Sequence, residues 1–183
     1  MEMEITENIN IDNIEQNIKA CCFTGHRPKA LPWGFDESDI RCVSFKSKLK
    51  YTLENLIVEE GYKKFISGMA MGADTICAEV VLSLKNIYPY IKLECAVPNY
   101  AFTESWKPED VRRYSSILTR ADGIKFVSDR RAYSKIDLML RNIYMVDSSE
   151  LVIAVYIDGS SGGTKNTIDY AKYRKKDVII IVP

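Results

Sequence analysis

Three glycine-bearing segments of this chain carry residue types that could hold an oxyanion. The first reads Ser67-Gly68-Met69-Ala70-Met71-Gly72-Ala73-Asp74. Its glycines permit a tight turn and a close backbone approach. A helix opening there would present amides without internal partners at the positive end of its dipole. No lysine follows Gly72, so the segment is not a Walker loop, and it is not a dinucleotide fingerprint either. Asp74 would repel a bare phosphate on that turn and fits better as a ribose-hydroxyl acceptor or a helix cap. The second segment reads Asp158-Gly159-Ser160-Ser161-Gly162-Gly163-Thr164-Lys165-Asn166-Thr167. Its glycines and hydroxyls suit phosphate oxygens, although a plain surface loop is the other reading. The third reads Thr24-Gly25-His26-Arg27-Pro28. Arg27 can fork two hydrogen bonds to a phosphate or a carboxylate. A lone histidine at a strand end is more often a hydrogen-bonded structural residue than a catalyst, and His26 is the only histidine of the chain. Trp33 and Phe35 follow in a loop marked by Pro and Gly, where they either stack on a base or anchor the loop.

A second group of candidates sits further along. Arg141, Asn142, Tyr144, Met145 and Asp147 share one helical stretch; residues 141 and 145 lie on one face, and 144 and 147 on another. Spacing reads Tyr144 and Met145 as core. Asp122 and Asp147 lie near strand entrances, where a solvated or capping role fits. Basic residues outnumber acidic ones between Lys107 and Arg141, with Tyr114, Phe126 and Tyr133 interleaved. That pattern describes either a single-strand nucleic-acid surface or an ordinary solvated face. Cys21, Cys22, Cys77 and Cys95 fall at core-like positions without a catalytic partner.

The elements that must position these residues alternate from Lys19 onward. Strands are expected over residues 20–24, 64–67, 91–97, 123–127, 151–156 and 178–182. Helices are expected after Ser38 and Asp39, then over about 72–86, 108–121, 136–148 and 164–175. The runs Leu151 to Tyr156 and Val178 to Val182 are apolar throughout, as burial on both faces of a parallel sheet requires. The pattern predicts an α/β, doubly wound, three-layer sandwich with a mostly parallel sheet of about six strands. Ligands of such sheets bind outside the carboxyl ends of the strands, where the three glycine-bearing turns fall.

Length and composition set the outer bounds. A chain of 183 residues gives one domain, here residues 19–183, preceded by an acidic N-terminal tail over residues 1–18. Lys plus Arg total 25 against 25 Asp plus Glu, which argues against a strongly basic nucleic-acid binder. The longest apolar run, Leu151 to Ile157, is too short to span a bilayer. Five cysteines without CxxC pairing read as reduced thiols in a cytoplasm, and one histidine excludes zinc sites that need two. No metal site is expected.

With these residues in hand, the sequence resembles the YpsA-like proteins of the SLOG superfamily, which also contains DprA (Smf) and the LOG phosphoribohydrolases. The resemblance covers Ala20 to Pro183. Its carriers are Phe23-Thr24-Gly25-His26-Arg27-Pro28, the Ser67–Asp74 turn, Val97-Pro98 followed by Trp106, Arg141-Asn142-x-Tyr144-Met145-Val146-Asp147, and Ser161-Gly162-Gly163-Thr164-x-Asn166-Thr167. The resemblance implies a Rossmann-like fold that senses or sequesters a nucleotide or nucleotide-derived ligand, such as an ADP-ribose-like molecule. It requires no further cofactor. The ligand would contact Thr24, Gly25, His26, Arg27, Ser67, Gly68, Met69, Ala70, Gly72, Ala73, Asp74, Arg141, Asn142, Gly162, Gly163, Thr164, Asn166 and Thr167. The YpsA-like branch is associated with cell-division and stress phenotypes. A homodimer fits the fold, and nucleic acid does not fit the zero net charge, although the DprA branch binds single-stranded DNA. The LOG branch cleaves nucleoside monophosphates with a PGGxGTxxE motif. Laid on that motif, Lys165 and Asn166 depart from it and Asp169 takes the place of its glutamate. An enzyme would therefore use Asp169 or Glu79 as its carboxylate, and the departures favour binding over hydrolysis.

Overall fold

The computed structural model describes residues 18–183, so nearly all of the expected acidic tail lies outside the described residues. Six strands alternate with five α-helices. In chain order they are β1 (Ala20–Gly25), α1 (Ile40–Val58), β2 (Lys64–Ser67), α2 (Ala73–Leu84), β3 (Lys92–Val97), α3 (Pro108–Arg120), β4 (Gly123–Phe126), α4 (Lys135–Asp147), β5 (Leu151–Val155), α5 (Gly163–Tyr173) and β6 (Asp177–Ile181). A one-turn 3-10 helix, Pro28–Ala30, follows β1.

The strands form one sheet of order β4-β3-β2-β1-β5-β6, and every pairing is parallel. The sheet is thus wholly parallel where the sequence predicts a mostly parallel one. Successive β1 side chains go to opposite faces: Cys21 and Phe23 join a large core with residues of α1, α2 and α3, while Cys22 joins a smaller one with Met145, Val146 and Ala171 of α4 and α5. Three helices therefore cover one face and two the other. The chain winds outward from β1 to β4, then returns to place β5 on the other side of β1. That reversal creates a crevice at the carboxyl ends of β1 and β5, with Gly25 registered on Val155.

Local chemistry sets the element ends. The Asp39 carboxylate caps α1 by accepting from the Arg41 amide at 2.8 Å. Pro108 opens α3 with Glu109 and Asp110 in its first turn. Helix α5 stops at Tyr173, short of the expected Lys175, which takes a left-handed conformation at φ 56°. No described helix is long and apolar enough to cross a membrane. All five cysteines are free and buried, and burial pushes the Cys22 and Cys95 thiols up to about 12.

Candidate functional site

The turns after β1, β2 and β5, together with α4, enclose a crevice of about 300 Å³. Thr24, Gly25, His26 and Arg27 line it from β1, Ala70 and Asp74 from the β2 turn, and Arg141 and Asn142 from α4. Gly163 and Thr164 close it from α5, and Ser161, Ala30 and Leu138 complete the wall. Of these last three, Ala30 and Leu138 carry no chemistry that sequence reasoning could flag, while Ser161 belongs to the quoted glycine-bearing segment but is absent from the expected ligand contacts.

The anion-receptive end belongs to α5. Its cap residue Gly162, at φ 111°, makes no side-chain capping bond, and the first helical bond runs from the Asn166 amide to the Gly162 carbonyl. The preceding amides of the first turn therefore have no partner within the helix. Helix α2 differs from expectation. The Ala73 amide donates to the His26 carbonyl at 3.1 Å and the Thr75 amide to the Ala70 carbonyl at 3.2 Å. Two of its opening amides are thus taken, Ala73 by the β1 turn and Thr75 within the β2 turn.

The expected contacts of the β2 turn divide accordingly. Ser67 donates from Oγ to the Asp74 carbonyl at 2.8 Å and accepts from the Met69 amide at 3.2 Å, so it organises the turn from within. Met69 takes a left-handed conformation at φ 58°, and its side chain is fully buried in the large core. Gly68, Gly72 and Ala73 also lie outside the crevice wall; a Cβ on Gly68 would meet the Arg141 guanidinium at 2.5 Å. In the β5 turn, Gly162, Asn166 and Thr167 do not line the crevice, and Thr167 Oγ1 donates back to the Gly163 carbonyl at 2.8 Å.

The two expected catalytic carboxylates are elsewhere. Glu79 holds Arg113 through two bonds of 2.8 and 2.6 Å between α2 and α3. Asp169 pairs with Lys165 on the exposed face of α5. Neither lines the crevice, so hydrolysis built on Asp169 or Glu79 has no support in the geometry. The carboxylate that does line it is Asp74, only 4% exposed, 3.9 Å from Arg141 Nη1. Burial pushes the Asp74 carboxyl above the usual range, with Arg141 and Arg27 pulling it back. Arg141 itself is 5% exposed; Nη1 donates to the Gly68 carbonyl and Nε to Asn142 Oδ1 at 2.9 Å. Burial lowers its guanidinium to about 10, leaving it charged at neutral pH.

His26 joins two turns. Its Nε2 accepts from the Ile157 amide at 3.0 Å, and its ring stacks on Tyr156 with centroids 5.6 Å apart. The accepting nitrogen must be unprotonated, and burial lowers the imidazole pKa. An unfolded histidine takes up its proton near pH 6.5, whereas folded His26 does so at lower pH; the unfolded state binds more protons between those values. Stability should therefore fall as pH drops through 6.5. Urea unfolding at pH 7.5 and 5.5 should show a smaller loss in His26→Asn, whose amide oxygen can accept the same bond; equal losses would remove His26 as the cause.

Of the two loop aromatics, Trp33 is buried and stacks on Phe45, so it anchors the loop, while Phe35 is exposed. Met145 is core, as its spacing predicts. Tyr144 is partly buried and donates to Glu94 Oε1 at 2.6 Å. Among the described residues, no cluster of three or more His, Cys, Asp or Glu is placed to hold a metal ion.

A parallel doubly wound sheet with its crevice at the strand-order reversal defines a Rossmann-like α/β protein. The chain belongs to the YpsA family of SLOG proteins: the family model described as the YspA SLOG family matches residues 21–180. It is 35% identical over 140 residues to the uncharacterized SPbeta prophage-derived protein YoqJ of Bacillus subtilis, covering 71% of this chain and 81% of that one. It is 28% identical over 156 residues to a UPF0398 protein of Bacillus thuringiensis, covering 85% and 83% respectively. A solved structure of DNA processing protein A from Helicobacter pylori, described for its single-stranded DNA binding mode, superposes with a TM-score of 0.62. That match covers 93% of this chain and 68% of the other at 18% identity, so it speaks to the fold.

Proposed function

We propose that the crevice binds a nucleotide or nucleotide-derived ligand, of which an ADP-ribose-like molecule is one form, to sense or sequester it. The reading rests on one juxtaposition: the α5 amino end, Arg27 and Arg141 face the same 300 Å³ space as the Asp74 carboxylate. Phosphate oxygens would take the α5 amides, the Thr164 hydroxyl and the two guanidinium groups. Ribose hydroxyls would donate to Asp74, and Asn142 would read the remaining polar edge.

The test is thermal unfolding of ligand-free protein with AMP, ADP, ADP-ribose and inorganic phosphate. A ligand at 100 times its Kd adds about 2.7 kcal/mol, which raises Tm by roughly 5–11 °C for a chain of this size. Gly163→Asp should abolish the shift without unfolding the protein. A Cβ at Gly163 meets nothing within 4 Å, and an acid in the first turn favours the helix while repelling a phosphate. No shift with any of these ligands overturns the proposal.

A second reading is single-stranded nucleic-acid binding, because the zero net charge loses force beside the fold shared with a DNA-processing protein. Tyr100, 54% exposed, is layered between Phe126, 4.3 Å away, and the Arg131 guanidinium, 5.5 Å from its centroid, so a base would stack on the exposed outer guanidinium of this basic aromatic stack. Affinity for a short oligonucleotide that falls steeply with salt and is lost in Tyr100→Ala supports it; salt-independent or absent binding rejects it.

A further inference from the structure

The two edges of the sheet are unlike. Strand β4 ends one side; it has four residues, and the exposed Lys125 interrupts it. A short strand bearing a lysine is a common guard against pairing with another chain. Strand β6 ends the other side without such a guard. From Val178 through Val182 the chain reads Val-Ile-Ile-Ile-Val, free of charge, proline and glycine. Ile180 is 47% exposed and Val182 61%, large apolar side chains left to solvent.

The backbone of that edge is unspent. The Asp177 amide donates to the Glu150 carbonyl at 3.3 Å, and the Ile181 carbonyl accepts from the Tyr156 amide at 3.2 Å. Residues 177, 179 and 181 therefore turn their peptide groups toward β5. Alternation turns those of Val178, Ile180 and Val182 outward, where no further strand follows. Outward donors and acceptors in a row, flanked by apolar side chains, are a template for one more strand.

Sequence and register select that strand. The segment Val178–Val182 reads the same in both directions, with Ile180 at its centre. Ile180 is also the middle one of the outward-facing residues. An antiparallel copy centred there sets Ile180 opposite its counterpart and Val178 opposite Val182, so each outward N–H meets an outward C=O. Ile179 then faces Ile181 on the α1 side of the sheet, and apolar meets apolar on both faces. A foreign strand of polar composition would leave these pairs unmade.

The charges agree with the same register. Asp177 of one copy falls opposite Pro183 of the other, on the α1 face. Beside Val182 and Pro183 lies a groove of about 360 Å³, walled by Ile40, Phe45 and Lys48 of α1. Neither Asp177 nor Lys48 enters an ion pair among the described residues. Antiparallel pairing brings the carboxylate of one copy to the groove that holds the ammonium of the other.

We propose that β6 is a self-association edge, at which two copies of this chain pair antiparallel about Ile180 and join their sheets into one. A two-fold axis closes this contact on itself, so it ends at a dimer. The groove beside the edge shares no lining residue with the crevice, and the inference does not depend on the crevice reading.

The experiment is sedimentation velocity of the full chain over a range of concentrations. A strand pair with a small flanking groove falls short of a standard interface, so a monomer–dimer equilibrium in the micromolar range is expected. Ile180→Lys puts like charges on the axis and should weaken association at least about tenfold, with circular dichroism reporting that the variant is folded. An equimolar mixture of Ile180→Lys and Ile180→Glu should recover the dimer. Gly163→Asp should dimerise as the wild type does, which separates this edge from the crevice. Amide hydrogen exchange of the wild type keeps the test independent of any variant: exchange at Val178, Ile180 and Val182 should slow as concentration rises, while Lys125 on the opposite edge stays unchanged. A chain that remains monomeric at millimolar concentration overturns the proposal, as does a folded Ile180→Lys that dimerises like the wild type. Assemblies that grow past the dimer overturn the two-fold pairing. Slow exchange of the three amides at every concentration would mean that the edge is covered from within the same chain, and overturns it too.

Discussion

Arg141→Met should destabilise the protein by about 3–5 kcal/mol, the range for removing one partner of a buried charge pair. For a chain of this size that lowers Tm by roughly 6–20 °C. The residue packs its guanidinium 5.9 Å from the Phe102 ring and donates to the Gly68 carbonyl, with Asp74 Oδ2 at 3.9 Å. Methionine can keep much of the packing but leaves the carbonyl and the carboxylate without their cation. The carboxylate then sets a pH dependence. Burial already raises the folded Asp74 pKa, and Arg141 and Arg27 oppose that rise. Between the unfolded value near 3.9 and the raised folded value, the folded state binds more protons, so stability falls as pH rises through the window. Loss of Arg141 widens the window upward. Urea unfolding should therefore show a small deficit for Arg141→Met near pH 4 and the full deficit by pH 8. Adding Asp74→Asn should restore much of the loss, because no buried charge is then left unpaired. A deficit that is flat in pH and untouched by Asp74→Asn would mean that Arg141 acts through packing alone.

The same pair shows where the sequence was legible and where it was not. The strands were readable because a parallel sheet covered on both faces demands apolar runs: Leu151–Val155 is buried at every residue. The topological switch followed from alternation of strands and helices, and it brought the turns after β1, β2 and β5 to one crevice as their glycines suggested. What failed was local inference about hydrogen bonds. The opening of α2 looked like a row of free donors, yet Ala73 donates to His26, a partner supplied by another loop. Only the tertiary fold reveals that such a donor is taken. Glu79 and Asp169 looked available for the same reason, and each is claimed by a cation. Conversely, Ala30 and Leu138 line the crevice without any chemistry that spacing could detect.

Gly72→Ala should cost about 3 kcal/mol or more, whereas Gly162→Ala should cost about 1–2 kcal/mol, although both glycines precede a helix and both have positive φ. Gly72 sits at φ 97°, ψ −126°, and Gly162 at φ 111°, ψ −161°, conformations that an L side chain rarely adopts. Backbone strain is thus common to both substitutions. The surroundings differ. A Cβ at Gly72 would meet the His26 carbonyl at 2.6 Å, and backbone cannot rotate aside; at Gly162 nothing lies within 4 Å. The clash at Gly72 also pushes on the Ala73 amide bond to His26, which ties the β1 and β2 turns. Chemical denaturation of the two variants checks the difference directly. The crevice ligand separates them again: Gly162→Ala should keep its thermal shift with nucleotide, since that side chain lies outside the wall, while Gly72→Ala should weaken binding by displacing His26 and Arg27. Equal costs for the two alanines would show that strain alone decides, and that the contact between the two turns contributes nothing to holding the crevice open.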